Sequence, residues 1–179
     1  TARRTVRALL EDTVARFEAA ELSYGHGTTN ALDEAAWLIL HALGRAPGDI
    51  GPFLDERLDG GAWAKARALV DERIRSRKPA AYLTHEAWLG PHRFYVDERV
   101  IVPRSFIAEL LQKPGRTRFS AMRETGSVPV SVLDLCTGSG CLAILAALAF
   151  PQARVDAADL SADALAVAKI NVEHYRMAD

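Results

Sequence analysis

The segment Val130-Ser-Val-Leu-Asp-Leu-Cys-Thr-Gly-Ser-Gly140 constrains this chain more than any other stretch. Val130 to Leu135 is a short apolar run with β-branched residues, which predicts a strand. Glycines at 138 and 140 break it, and Gly140 to Phe150 follows as a nearly all-apolar helical run (Leu142, Ala143, Ile144, Leu145, Ala146, Ala147, Leu148). Arg154-Val-Asp-Ala-Ala-Asp159 predicts a second strand, and Ala162 to about Tyr175 a second helix with Ser161 at its N-cap. Strand, helix, strand, helix is the parallel, doubly wound α/β pattern. A helix apolar nearly all round should pack against a sheet on one side and another element on the other. Two parallel strands are too few for a stable open sheet. The chain therefore reads as part of a longer protein, or as one whose remainder is disordered.

The turn between first strand and first helix carries the chemistry. A helix N-terminus offers free backbone N–H groups and the positive end of a dipole, and glycine lets a ligand approach closely. Asp134 lies four residues before Gly138, and Asp159 ends the second strand 19 residues after Gly140. An acid at that distance meets ribose hydroxyls. A carboxylate at position 134 repels a pyrophosphate but suits a ligand that carries an ammonium group and no phosphate. Two carboxylates around a glycine loop therefore suit a nucleoside with a positive centre, as S-adenosylmethionine is. A dinucleotide is the alternative, because Gly138-Ser-Gly140-Cys-Leu-Ala143 fits the relaxed dinucleotide fingerprint. The blandest alternative is a plain tight turn with a solvent-facing Asp159.

Upstream, three helical patterns stand in succession. Val6, Leu9, Leu10, Val14 and Phe17 recur at three- and four-residue steps. Thr28-Thr-Asn30 caps a second helix with Leu32, Ala36, Ile39, Leu40 and Leu43, ended by Gly44 and Pro47-Gly48. A third is expected from about Ala62 to Arg77, burying Trp63, Ala66, Val70 and Ile74, and stopped by Pro79. Together they predict a small helical bundle. From Ala80 the pattern changes: Ala81-Tyr82-Leu83, Ala87-Trp88-Leu89 and Phe94-Tyr95-Val96, with Gly90-Pro91 between, signal a hairpin. Val100-Ile-Val102 reads as extended. Pro103-Arg104-Ser105 then opens a helix with Phe106, Ile107, Leu110 and Leu111 as its apolar members. The domain reading is 1–79 helical, 80–102 hairpin linker, and 103–179 the first part of the α/β domain.

Composition narrows the function classes. A formal net charge of −1 gives no global attraction to nucleic acid or anionic lipid. No apolar run approaches the roughly 20 residues that span a bilayer, and the start lacks a signal-peptide pattern. Cys136 and Cys141 cannot form a disulfide framework, which points to the cytoplasm. They also lack metal-site spacing, as do His26, His41, His85, His92 and His174, so no metal is expected. Arg73, Arg75, Arg77 and Lys78 read as a solvated helix end. Lys113, Arg116, Arg118 and Arg123 lie in a polar stretch that reads as a solvated loop, with contact to ribosomal RNA or an acidic patch as the alternative.

With these residues in view, the chain resembles the N5-glutamine methyltransferases that modify translation proteins. Arg77-Lys-Pro-Ala-Ala-Tyr-Leu-Thr84 resembles that family's entry into its hairpin. Phe94-Tyr-Val-Asp-Glu-Arg-Val-Ile-Val-Pro-Arg104 resembles the stretch leading to its active site. Asp134-Leu-Cys-Thr-Gly-Ser-Gly140 and Ala158-Asp-Leu-Ser-Ala-Asp-Ala-Leu165 resemble its cofactor motifs. One branch of the family methylates peptide-chain release factors and carries Pro-Arg-Pro before an acid, Thr and Glu. The other methylates large-subunit ribosomal protein L-three. Here Pro103-Arg104-Ser105, Trp88-Leu-Gly-Pro-His-Arg-Phe-Tyr95 and Cys136 resemble the second.

The resemblance implies a Rossmann-like class I sheet, here truncated, behind a helical substrate-recognition domain. It implies S-adenosylmethionine as cofactor and a ribosomal protein as partner. Asp134, Cys136, Thr137, Gly138, Ser139, Gly140 and Asp159 become the expected cofactor residues. Pro103, Arg104 and Ser105 become the expected wall near the methyl group. In the family an Asn-Pro-Pro-Tyr loop holds the reacting amide, and these 179 residues lack that tetrapeptide. No catalytic residue is therefore expected within this stretch, which should be inactive alone. Release-factor methylation, a dinucleotide-dependent oxidoreductase and a non-catalytic ribosomal-protein binder stand as the alternatives.

Overall fold

Thr5, Asn30 and Asp59 each turn a side-chain oxygen onto a backbone N–H of the following turn, at Ala8, Asp33 and Ala62, and each starts a helix. In the computed structural model, which describes residues 4–25, 27–112 and 129–177, these are α1 (Val6–Ala19), α2 (Ala31–Ala42) and α3 (Gly60–Ser76). Tertiary contacts divide the chain after Thr84 into two units.

In the first unit, α1 buries Val6, Leu9, Leu10 and Phe17 as its periodicity predicts, but Thr13 is buried in place of the expected Val14, which is half-buried. α2 is buried on nearly every side and packs against both α1 and α3. α3 begins two residues before the expected Ala62, at the Asp59 cap. It ends at Arg77, which takes a left-handed conformation (φ 58°). Arg77 also donates to the carbonyls of Ala20 and Glu21, at the end of α1.

Two readings of this unit need correction. Ala81-Tyr82-Leu83 is not a strand: α4 (Ala80–Thr84) is helical, with Pro79 O accepting from Tyr82 N and Thr84 Oγ1 donating to Ala80 O. Proline with its fixed φ is already arranged to start a helix, and alanines continue one. Arg73 is not solvated either. It is 1% exposed and its Nε donates to Glu34, itself 2% exposed, while Nη2 donates to Ser23 O. Glu34 also accepts from Thr28 Oγ1. Ala66, Val70 and Arg73 form the buried stripe of α3, whereas Trp63 and Ile74 are half-buried.

In the second unit the hairpin is shorter than its apolar residues suggest. β1 (Ala87–Leu89) pairs antiparallel with β2 (His92–Phe94), Ala87 opposite Phe94, around Gly90-Pro91. Gly90 has φ +58°, and a Cβ there would meet the Gln112 side chain, whose Nε2 donates to Leu89 O. Beyond the hairpin, Val100 and Val102 are buried and Ile101 is exposed. α5 (Phe106–Gln112) then buries Ala108 and Leu111, while Phe106, Ile107 and Leu110 are exposed. The apolar face expected of this helix is therefore only partly covered.

β3 (Ser131–Leu135) pairs parallel with β4 (Arg154–Ala158), in register from Ser131–Arg154 to Leu135–Ala158. α6 (Cys141–Ala149) connects them and α7 (Ala162–His174) follows. α6 forms the centre of this core. Ile144, Leu145 and Ala146 pack with Leu89, Phe94, Leu111 and Phe150. The fit of α6 among β3, β4, α5 and α7 matches its apolar composition. One face of the small sheet stays open, with Leu133 at 60% and Leu135 at 67% exposure. Among the described residues, no helix is long and apolar enough to cross a membrane. The basic stretch from Lys113 to Arg123 lies outside the described residues, as does His26.

Candidate functional site

The loop from Cys136 to Gly140 joins β3 to α6 through three left-handed residues: Cys136 (φ 59°), Gly138 (56°) and Gly140 (77°). Thr137 N donates to Ala158 O at 3.0 Å, which ties the loop to the last residue of β4. Gly140 N then donates to Thr137 O at 2.9 Å, closing the turn. The two glycines are needed for different reasons. Space beside Gly138 is open, so only its φ excludes a side chain. At Gly140 a Cβ would also stand 3.1 Å from Ala168 Cβ and 3.3 Å from Ala168 Cα on α7.

The two aspartates frame this loop by direct bonds. Asp134 Oδ2 accepts from Thr137 Oγ1 at 2.6 Å and from Ala143 N at 3.1 Å, so it caps the first turn of α6 from the strand. Asp159 Oδ2 accepts from Gly138 N at 2.9 Å, and its Oδ1 accepts from Ser161 N at 2.9 Å. The N–H groups of Ser161 and then Gly138 hold the Asp159 carboxyl below the ordinary carboxylate range. Ser139 is buried, and so is Cys141, which is the first residue of α6 rather than a loop residue. Burial pushes the Cys141 thiol up. Cys136 is exposed.

Of the expected site residues, hydrogen bonds join Asp134 to Thr137 and Thr137 to Gly140, and separately Asp159 to Gly138; Ser139 is buried between the two glycines and Cys136 is exposed. Pro103, Arg104 and Ser105 stand at the start of α5, where Ser105 Oγ accepts from Ile107 N. A largely apolar cleft of about 280 Å³ between α5, β3 and α6, lined by Ile107, Leu111, Leu133 and Leu142, reaches Asp134.

One residue bonded to this loop escaped the sequence reading. Asn171 of α7 is fully buried and holds Tyr95 and Ser139 by three hydrogen bonds. Its signal lay in the pattern: Ala164, Val167, Ala168 and Asn171 form the buried stripe of α7, and a carboxamide in such a stripe needs buried partners.

The loop chemistry bears on the ligand. The N–H groups of Gly138, Gly140 and Ala143, which a pyrophosphate would need, are already bonded within the protein, two of them to carboxylates. That arrangement disfavours a phosphate group at the loop.

Comparison with known proteins gives the same direction. Residues 2–84 match the PrmC N-terminal domain and residues 119–178 the methyltransferase small domain. The α/β part of the chain, with its glycine loop, thus falls within the match to a methyltransferase domain. A protein of Burkholderia pseudomallei is 56% identical over 96% of this chain, one of Bordetella pertussis 51% over 98%, and one of Neisseria meningitidis serogroup B 50% over 96%. Each is named ribosomal protein uL3 glutamine methyltransferase, and this chain is similar to each of them over nearly all of its own length. It spans about half the length of these relatives: 55%, 57% and 55% of them.

Proposed function

We propose that this chain supplies the substrate-recognition and cofactor-binding parts of an enzyme that methylates the side-chain amide nitrogen (N5) of a glutamine in ribosomal protein uL3, with S-adenosylmethionine as donor. The observation that carries the proposal is the glycine loop held between Asp134 and Asp159. The residues present suit this cofactor: two carboxylates, tight glycines and no spare phosphate cradle. When bound, S-adenosylmethionine supplies a methyl group on a positively charged sulfur.

In this reading Asp159 Oδ1 and Oδ2 accept from the ribose hydroxyls, and the carboxylate is already ionised because backbone N–H groups stabilise it. Asp134 favours the positive charge of the ligand, and the backbone from Thr137 to Gly140 carries its methionine part. Pro103, Arg104 and Ser105 wall the methyl side, and residues 1–79 recognise the ribosomal protein, joined by the 80–102 linker. β3 and β4 are neighbouring strands of a Rossmann-like sheet, a fold in which helices cover the face that carries Leu133 and Leu135. The ribosomal substrate points to the cytoplasm.

Transfer moves a methyl from sulfur to nitrogen: the sulfur–carbon bond breaks as the nitrogen–carbon bond forms, and the nitrogen sheds one proton. An amide nitrogen is a weak nucleophile, so the enzyme must hold it at attack distance and accept hydrogen bonds from its N–H groups. The Asn-Pro-Pro-Tyr loop that does this in the resembled family is absent from these 179 residues. We therefore expect the chain by itself to bind but not to turn over. The names of the relatives favour uL3 over a release factor, and the occupied loop N–H groups disfavour a dinucleotide.

The test joins this chain to the C-terminal remainder of the Burkholderia pseudomallei relative. The product is incubated with S-adenosylmethionine and either uL3 or a release factor, and read by mass spectrometry. One added methyl on a uL3 glutamine is the expected result. Methylation of the release factor alone, or of neither protein, contradicts the proposal.

A further inference from the structure

We propose that Asn171 is a positioning residue that fixes the shape of the cofactor loop and ties it to the segment after the hairpin. The inference rests on the reading of residues 134–140 as a cofactor loop, and adds a residue outside the motifs that identified it.

The side-chain carboxamide of Asn171 behaves like a short piece of backbone. Its Oδ1 accepts from Tyr95 N at 2.6 Å and its Nδ2 donates to Tyr95 O at 2.9 Å, the two-bond exchange of neighbouring antiparallel strands. The second Nδ2 hydrogen goes to Ser139 O at 2.8 Å. Both donors are therefore used, and the side chain is 0% exposed. Residues 95 and 139 are far apart in sequence, yet one amide plane sets both.

The bond to Ser139 falls on the peptide that matters most for the loop. The Ser139–Gly140 peptide presents its carbonyl to Asn171 and its N–H to Thr137 O, so both ends are fixed. Gly140 is left-handed, and a left-handed glycine can exchange conformations readily when nothing holds the adjoining peptide. Ala168, one turn earlier on α7, presses its Cβ side against Gly140 and closes the other route of escape. α7 thus clamps the loop twice, once by contact and once by hydrogen bond. On the Tyr95 side the same amide anchors the start of the segment that runs on to Pro103-Arg104-Ser105. One side chain thus fixes the loop peptide at Ser139 and the backbone at Tyr95.

The proposal excludes a catalytic part for Asn171, because its donors are consumed inside the protein. Its loss should act on ligand affinity through the loop. Asn171→Asp keeps the acceptor for Tyr95 N but turns a carboxylate oxygen toward two carbonyls. Asn171→Ala leaves all three backbone groups without a partner.

The experiment measures S-adenosylhomocysteine binding by calorimetry and the Gly140 amide nitrogen by 15N NMR, using this chain with its two Asn171 variants. Tyr175→Phe serves as control, since it loses a nearby bond to Arg93 O without touching the loop. Both Asn171 variants are expected to bind about tenfold or more weakly, the effect of one lost buried hydrogen bond. In both, the Gly140 nitrogen should shift, because its own peptide loses the carbonyl bond; the control should change neither. Wild-type affinity in either Asn171 variant overturns the proposal. Should neither variant fold, the unaltered chain decides: the Asn171 Nδ2 resonance should shift when the ligand saturates the loop, and an unmoved resonance overturns the proposal. A wild-type chain that binds no S-adenosylhomocysteine refutes the cofactor reading itself, which is a separate outcome.

Discussion

Gly138 donates its backbone N–H to Asp159 Oδ2 at 2.9 Å, so the carboxylate at the end of β4 holds the glycine loop that follows β3. The same carboxylate takes Ser161 N, which starts the turn into α7. The acid therefore shapes the loop before any ligand arrives.

This gives Asp159 a pH signature. Its folded carboxyl lies below the ordinary value, held there by the N–H groups of Ser161 and Gly138. A depressed carboxyl stabilises the fold above the unfolded pKa of about 4, and that contribution disappears as pH falls through the folded value. Urea denaturation of wild type and Asp159→Asn at neutral and acid pH should therefore converge at low pH. A constant gap between the two would contradict the assignment.

Asp97 provides a second, numerical case. The Arg99 side chain, followed by the Arg99 N–H and the Tyr95 hydroxyl, outweighs burial and lowers the Asp97 carboxyl to about 2. Stability from this group should be complete above about pH 4 and be lost as pH falls toward 2. Carbon NMR of the Asp97 carboxyl checks the midpoint, and Arg99→Gln should move it up toward the ordinary value.

The buried Glu34–Arg73 pair should show a large single-variant effect. Arg73→Met leaves the enclosed Glu34 carboxyl without its guanidinium partner, at a cost of about 3–5 kcal/mol in urea unfolding. Replacing both partners, as Glu34→Leu with Arg73→Met, should recover most of that loss. A single variant within about 1 kcal/mol of wild type would mean that the pair is solvated after all.

The loop glycines should differ from each other. Gly138→Ala meets only the left-handed φ, at about 1 kcal/mol, while Gly140→Ala adds the contact with Ala168 and should lose about 1–3 kcal/mol more. Cys136→Gly should stabilise by about 1 kcal/mol, because a side chain now occupies a left-handed position. Thermal unfolding of the three variants gives the order directly.

Much of this fold is legible in local sequence. Asn30 and Ser161 cap helices as expected, Thr5 and Asp59 do so without having been singled out, and the apolar run 142–148 forecasts the central helix of its unit. The glycine loop and both aspartates were readable because their spacing reflects chemistry within one strand–turn–helix–strand stretch. What escaped depends on contacts distant in the chain. Glu34, Arg73 and Asn171 each occupy the apolar stripe of a helix, a visible sign that each is satisfied indoors. Their partners lie 39, 76 and 32 residues away, and no periodicity names them. Pro79 explains the misread strand at Ala81–Leu83: hydrophobic content suggested β, while the proline start and alanines favoured a helical turn. The partial exposure of α5 follows a similar rule, since a pattern shows which residues could be buried and not what is present to cover them.

The central claim is that the loop between Asp134 and Asp159 holds S-adenosylmethionine. Calorimetric titration of the chain with S-adenosylhomocysteine and with NAD, repeated on Asp159→Ala, tests it most directly. The account predicts binding of S-adenosylhomocysteine, no binding of NAD, and at least about tenfold weaker binding in the variant. Binding of NAD, or an Asp159→Ala affinity equal to wild type, would contradict it.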